Sequence, residues 1–268
     1  MNTTIAFVGG GHMTAALVGG LVKTHPAANI YIADRNDGKR THLHTKFGVT
    51  TVTAQADLPA NIDLLVLSVK PTDMQPVCEQ AQAATIVSVA AGLRLANMEQ
   101  WFSSPPTMLV RAMPNTPAAV GYGMTACYAR PPATTSTLVN SLFSAVGDVV
   151  WTENESLLDT ITAISGSGPA YIYYFLEALE EAAIVMGIPP QMARRLAIQT
   201  LRGGGEMARL TETTPAELRH AVALKGGVTE RAINVMEEKQ LKKIIKTAIQ
   251  SARTRAQQIG DELQSKDN

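Results

Sequence analysis

Ile5-Ala-Phe-Val-Gly-Gly-Gly-His-Met-Thr14 is the stretch on which the reading of the whole chain turns. The apolar residues Ile5–Val8 have strong β preference and stop at Gly9-Gly10-Gly11, and an apolar helical pattern, Met13–Lys23, begins directly afterwards. Glycines at a strand-to-helix junction let the backbone turn tightly and come close to a pyrophosphate. The N-terminus of the helix then offers free N–H groups and a favourable dipole. Gly9, Gly10, Gly11, His12, Met13 and Thr14 are therefore candidate dinucleotide contacts. G-x-G-x-x-G is a weak signal alone, but here it has the strand–turn–helix setting that the motif requires. Thr14 holds its third position, where glycine or alanine is usual, and a β-branched residue there is expected to loosen helix–strand packing.

Outward from this stretch, the first half alternates strands with helices. Ile30–Ala33, Leu64–Val69 and Ile86–Ala90 are short apolar runs rich in β-branched residues, and Met108–Arg111 and Met124–Tyr128 are strand-like as well. Near-continuous apolar strands between helical patterns predict a mostly parallel sheet covered on both faces. The pattern changes near Trp151. Glu155–Ile164 reads as helical, Pro169 opens a long run over Ala170–Met186, and Pro189-Pro190 begin another helix reaching about Leu201. Further helices are expected over Pro215–Leu224 and Glu230–Gln258, the second broken near Glu238. Proline at helix starts and glycine at helix ends punctuate these segments. The expected fold class is an α/β, doubly wound domain over residues 1–152 followed by an all-α domain over residues 153–268.

Composition narrows the function. The chain has 268 residues, 46% of them hydrophobic and 17% charged, ample for a large core. Its 23 basic and 23 acidic residues cancel, so neither a nucleic acid nor an anionic membrane surface is an expected partner. The basic segment Lys239–Lys246 reads as the solvated face of a helix. Cys78 and Cys127 form no C-x-x-C pair, which points to a reducing, cytoplasmic setting. Met1–Thr4 lacks the basic start of a secretory leader, and the apolar stretches are too short to span a bilayer. His42 and His44 lie two apart, on different helix faces, so no metal site is expected. No phosphoryl-transfer loop of the G-x-x-x-x-G-K-[ST] type occurs.

Several strand ends carry unusual sequence. Asp34 follows the second strand, where an acid would hydrogen-bond a ribose 2′-OH and favour NADH. Arg35, Lys39 and Arg40 come next, and a guanidinium there would pair with a 2′-phosphate; NADPH is the expected preference, with NADH as a second donor. Val69-Lys70-Pro71 places Lys70 at the carboxyl end of a buried strand, where ligands bind in open parallel sheets. Ala90-Ala91-Gly92 ends the next strand with residues too small to obstruct a bound ring. In Arg111-Ala-Met-Pro-Asn-Thr-Pro117 two prolines fix a rigid loop around Asn115 and Thr116. In the second half, Ser165-Gly-Ser-Gly-Pro-Ala-Tyr171 and Lys225-Gly-Gly-Val-Thr229 are glycine-rich turns, and backbone N–H groups of the latter would cradle a small carboxylate. No Ser/His/Asp or Cys/His constellation accompanies them.

Taken together, GGGHM, VKP, AAG, RAMPNTP, SGSGPAY and KGGVTERAI, in this order and spacing, make the chain similar to the pyrroline-5-carboxylate reductase family nearly from end to end. RAMPNTP followed by SGSGPAY is much more specific than the glycine loop. Val228 stands where the family usually has threonine or alanine, and Leu224-Lys225 where it often has Ser-Pro. The resemblance implies a Rossmann domain and a helical dimerisation domain, with dimers that often assemble into rings of five. It also implies NAD(P)H-dependent reduction of 1-pyrroline-5-carboxylate to L-proline, the last step of proline biosynthesis. Carried over by motif, Gln55, Val69, Pro71, Ala90, Ala91, Met113 and Asn115 would join the cofactor site. Glu155, Ser167, Gly227 and Val228 would border the substrate, and Thr229 would hydrogen-bond the ring nitrogen as the catalytic residue. The alternatives are a related reductase of another small imine or hydroxyacid, whose catalytic lysine is absent from Ala170–Met186, or a non-catalytic dinucleotide sensor.

Overall fold

A computed structural model describes residues 3–131 and 136–264, with side chains through residue 262. Met1 and Asn2, which open the segment read for a leader, lie outside the described residues. The chain begins with β1 (Ile5–Val8), α1 (His12–Leu21), β2 (Ile30–Ala33), α2 (Asp37–Phe47), β3 (Thr50–Val52) and β4 (Leu64–Leu67). There follow α3 (Met74–Glu79), β5 (Thr85–Ser88), α4 (Leu95–Glu99), β6 (Met108–Met113), β7 (Gly123–Arg130), α5 (Thr137–Ser144) and β8 (Gly147–Trp151). These strands form one sheet in the order β3-β2-β1-β4-β5-β6-β7-β8, parallel except between β6 and β7. The order reverses between β1 and β4, and in a doubly wound sheet that switch point opens a crevice beyond the carboxyl ends of the strands.

Alternation along each strand divides the core between the two faces. Ile5 and Phe7 of β1, with Leu64 and Val66 of β4, pack among Leu17, Leu21, Leu43 and Phe143 on one side. Ala6 and Val8, with Leu65 and Leu67, pack among Met74, Leu95 and Met98 on the other. Successive side chains of a strand point to opposite faces, so strands buried on both faces must be apolar throughout.

The two strands that the sequence did not disclose lie at the ends of the sheet. Thr50-Thr-Val52 and Gly147-Asp-Val-Val-Trp151 are exposed or half-buried along their length, and neither has an apolar run longer than three residues to mark it. α2 is held by its ends: the Asn36 side chain accepts from Lys39 N at 3.0 Å, and Gly48 closes it in the left-handed region at φ 71°.

After the sheet come α6 (Leu157–Ile161), a π-helical turn over Thr162–Gly166, α7 (Gly168–Val185), α8 (Pro190–Leu210), α9 (Pro215–Val222), α10 (Val228–Glu238) and α11 (Leu241–Gln264). The expected break near Glu238 falls between α10 and α11, where Gln240 takes φ 56°. The helix opened by Pro189-Pro190 continues well past Leu201, because Gly203-Gly-Gly205 is tolerated inside α8 and ends nothing. Glu155–Ile164 is not one α-helix either, since α6 gives way to the π turn at Thr162.

The chain divides into two compact units, residues 1–169 with 252–268, and residues 170–251. The first unit thus extends beyond residue 152, because segment 155–166 is tied by ion pairs and hydrogen bonds to β6 and the loop after it. It also includes the end of α11, where Arg94 pairs with Asp261 at 2.8 Å and the Cβ of an alanine at Gly92 would meet Ile259 Cγ2 at 2.8 Å. In the second unit α9 carries a capping box, with the Thr214 and Glu217 side chains bonded reciprocally to backbone N–H groups. Only Ala193 and Ala197 are buried there among the described residues, while Tyr173, Tyr174, Val185 and Met186 are exposed.

Candidate active site

At the end of β1 the backbone of Gly9 turns at φ 101°, and a Cβ there would lie 2.4 Å from the Ser68 carbonyl oxygen. Only glycine fits between the first and fourth strands. Gly9 N donates to Ala33 O at 2.8 Å, so the turn is also tied to β2. Gly11 is different: nothing lies within 4 Å of the position its Cβ would take. That open space faces the start of α1, whose N-cap Gly11 brings no side chain, so the first-turn N–H groups are left for an anion. Exposed His12 begins the helix, and half-buried Met13 packs against the core.

Thr14 does not loosen the packing. It is fully buried, and its hydroxyl donates to Gly9 O at 2.5 Å, so the branched side chain fastens the helix start to the turn that precedes it.

The crevice holds a cavity of 650 Å³ lined by Gly9, Gly11, Asp34, Arg35, Gln55, Val69 and Lys70 among others, at the carboxyl ends of the first four strands. The volume is that of an ordinary small-molecule site. Thr53, Ala54, Ser68, Pro76 and Val77 also line it. Thr53-Ala54 carry no signal of their own in the sequence, because they follow β3, a short strand at the sheet edge. Gln55 is fixed by donating to Val77 O at 3.0 Å. Lys70 is exposed at the rim, and Pro71 starts the short turn Pro71–Asp73 beside it. Buried Ala90 and exposed Ala91, beyond the end of β5, are not among the lining residues.

Asp34 is the electrostatic centre of this rim. Its Oδ2 accepts from Gly10 N at 2.7 Å and its Oδ1 from Asn36 N at 2.8 Å, while Lys39 Nζ lies 3.5 Å away. Burial pushes its pKa up, but the two backbone N–H donors and Lys39 outweigh that and hold it below the ordinary value. Arg40 is committed elsewhere, to Asp34 O at 2.7 Å and Asp37 at 2.8 Å. Arg35 is exposed and lines the cavity, which leaves it and Lys39 as the cations at the end of β2 that face a ligand, with Lys70 on the rim beyond β4.

RAMPNTP turns out to be an anchor. Arg111, 3% exposed, reaches Asp159 at 2.8 Å and Glu155 at 3.3 Å, and Glu155 Oε1 also accepts from Leu95 N at 2.9 Å. Glu155, expected beside the substrate, is thus engaged with a strand and a helix start. Removing one member of a buried ion pair costs roughly 3–5 kcal/mol, because its partner is left unpaired. Asn115, expected at the cofactor, donates from Nδ2 to Ser165 O at 3.0 Å and accepts at Oδ1 from Met124 N at 2.9 Å. Met113 is half-buried, and its Cε lies 2.8 Å from where a Cβ on Gly166 would stand. Neither Met113 nor Asn115 lines the cavity. Ser167, half-buried, closes the π turn by donating its N–H to Thr162 O at 2.8 Å.

In the second unit, Gly226 takes φ 76° and donates to Glu230 Oε2 at 2.7 Å. Gly227 is the N-cap of α10, and its N–H is turned back to Leu224 O at 2.9 Å. The first-turn N–H groups that a helix leaves over here are therefore those of Val228, Thr229 and Glu230, and not that of Gly227. The Val228 side chain is 91% exposed, and Thr229 is half-buried in the first turn.

Comparison with known proteins gives this geometry its context. A family model described as pyrroline-5-carboxylate reductase dimerisation matches residues 155–259, and one described as NADP oxidoreductase, coenzyme F420-dependent, matches residues 4–92. The pyrroline-5-carboxylate reductase of Pseudomonas aeruginosa is 36% identical over 267 residues, covering 97% of each chain. The solved pyrroline-5-carboxylate reductase of Coxiella burnetii superposes with a TM-score of 0.88 at 35% identity, over 97% of this chain and 99% of that one. The pyrroline carboxylate reductase of Plasmodium falciparum, solved with NADP bound, has the same fold: TM-score 0.83 at 24% identity, over 97% and 98% of the two chains.

Proposed function

This chain belongs to the pyrroline-5-carboxylate reductase family, and from that premise we infer that it is an NAD(P)H-dependent oxidoreductase reducing 1-pyrroline-5-carboxylate to L-proline. The observation that carries the reading within the structure is the glycine turn at the switch point. Gly9 admits no side chain, and the space over Gly11 is open where a pyrophosphate would meet the N-terminus of α1. Bound NAD(P)H supplies the hydride that reaches C5 of the imine, while the ring nitrogen takes a proton.

An iminium is already a good hydride acceptor, so the protein has to position more than it has to activate. In this reading the hydroxyl of Thr229 hydrogen-bonds the ring nitrogen, and the N–H groups of Val228 and Thr229 hold the carboxylate. The turn Ser165–Gly168 borders the imine with small residues, Ser167 among them. NADPH is the preferred donor. Both Asp34 oxygens already accept backbone N–H groups, whereas Arg35 is exposed on the cavity wall.

The chain forms a homo-oligomer through its helical domain. A unit with only two small residues buried is consistent with a partner surface covering it. We place the assembly as a dimer, with rings of five dimers as its higher form, and the location as the cytoplasm. No helix among the described residues is long and apolar enough to cross a membrane.

The test is an assay of purified protein with pyrroline-5-carboxylate and each reduced nicotinamide cofactor. Cofactor oxidation is expected only when the imine is present. A folded sample without turnover on either cofactor would overturn the assignment.

A further inference from the structure

We propose that Asn115 is a positioning residue for the reduction. It holds the π-helical turn Thr162–Gly166 open at Ser165 and so sets the turn Ser165–Gly168 against the imine. The proposal rests on the reading above that this turn borders the substrate. Its ground is the way one edge of a strand engages one segment. Arg111, Met113 and Asn115 alternate along β6 and the loop beyond it, and all three meet segment 155–166: Arg111 takes Glu155 and Asp159 near its start, while Met113 lies under Gly166 and Asn115 bonds Ser165 near its end.

A π turn contains one residue more than an α turn, its hydrogen bonds are longer in sequence, and such turns concentrate at functional sites. Here Ser167 N reaches back five residues to Thr162 O. The Ser165 carbonyl receives the Asn115 amide in place of a helical N–H. Asn115 is itself immobilised. It is 8% exposed, Met124 N holds its other end at 2.9 Å, and Pro114 and Pro117 stiffen the loop on both sides. A rigid amide therefore fixes where the helix stops being regular, just before Gly168-Pro169 begin α7. Asn115 does not line the cofactor cavity, so the role proposed for it runs through the turn.

Asn115→Asp separates donor from acceptor at constant shape. The carboxylate still accepts from Met124 N but has no hydrogen for Ser165 O. The expected result is a loss of about tenfold in kcat/KM for pyrroline-5-carboxylate, with the Kd for NADPH from fluorescence titration unchanged. As pH falls the carboxyl is protonated, its O–H donates to Ser165 O, and the ratio of variant to wild-type activity rises. The charged groups packed on the same segment, Arg111, Glu155 and Asp159, are present in both proteins and cancel in that ratio. A ratio that stays flat with pH, or an equal loss in NADPH binding, overturns the proposal. Should the Asp variant not fold, Asn115→Ser removes the amide N–H that Ser165 O accepts and is expected to give the same split; wild-type kinetics in that variant would overturn the proposal. An inactive wild type would bring down the assignment of function as well, whereas an active wild type with insensitive variants brings down this inference alone.

Discussion

Asp34→Asn separates two roles that an acid at the end of β2 can have. In the usual arrangement the carboxylate holds the cofactor ribose and the substitution weakens NADH alone. Here both oxygens are already accepting, from Gly10 N at 2.7 Å and Asn36 N at 2.8 Å, and the side chain is only 11% exposed. Asparagine has one acceptor oxygen, so one of those N–H groups must face an NH2 group. A hydrogen bond to a charged acceptor is worth roughly 1.5–3 kcal/mol, and a melting-point drop of about 2–4 °C per kcal/mol is expected for a chain of this size. The glycine turn loosens for either cofactor, but NADPH also escapes the repulsion between its phosphate and the lost carboxylate. The Kd for NADH should therefore rise more than that for NADPH. The pH dependence has a definite sign. The folded pKa of Asp34 lies below its ordinary 3.8, so its stabilisation is fully present above that value and is lost as pH falls through the folded pKa. Melting curves of wild type and variant should differ at neutral pH and converge below about pH 4. Fluorescence titrations with both cofactors complete the assay. An unchanged melting point at pH 7 would show that the two N–H bonds do not hold the turn, and equal rises in both Kd values would remove Asp34 from cofactor choice.

Arg35→Ala should raise the Kd for NADPH by about tenfold or more and leave NADH nearly untouched, since one charge-assisted contact to the 2′-phosphate is lost; parallel losses for the two cofactors would rule out phosphate reading by Arg35. Thr229→Val should lower turnover roughly ten- to a hundredfold, the worth of one hydrogen bond to a charged iminium. Because Gly227 and not Thr229 caps α10, the melting point of that variant should not move. An unchanged turnover number would take Thr229 out of the mechanism.

The doubly wound sheet could be read from the chain because strands buried on both faces must be apolar at every position. Ile5–Val8 and Leu64–Leu67 have no polar residue and no exposed one. The same rule hides β3 and β8. Edge strands bury little, so Thr50–Val52, though β-branched throughout, is too short and too exposed to stand out before it pairs with Tyr31–Ala33. Helix ends were legible where a residue changes the backbone, as at Pro190. They were not legible where the ending involves a partner: Pro169 has no N–H to give the Ser165 carbonyl four residues before it, and the donor that does reach that carbonyl, Asn115, is fifty residues away in the sequence.

For the site, the divide falls between backbone and side chain. The glycine turn was legible because its requirement is steric and local, a backbone passing 2.4 Å from where a Cβ would stand. Thr14 was misread for the complementary reason: its bulk is visible in the sequence, but the carbonyl its hydroxyl bonds is not. RAMPNTP shows the same limit on a larger scale. A motif with two prolines and an amide marks a place where geometry matters, and adjacency to a strand end suggests the cofactor. Which way a polar side chain points is decided by its parity in the strand: Arg111 and Met113 share the parity that faces segment 155–166, and Asn115, in the loop just beyond β6, reaches the same segment. Glu155 follows from that, since a carboxylate 3.3 Å from a buried guanidinium and 2.9 Å from Leu95 N is part of the frame that carries the turn Ser165–Gly168. Glu155, Asp159 and Ser165 thus place segment 155–166 by what β6 and its following loop offer them.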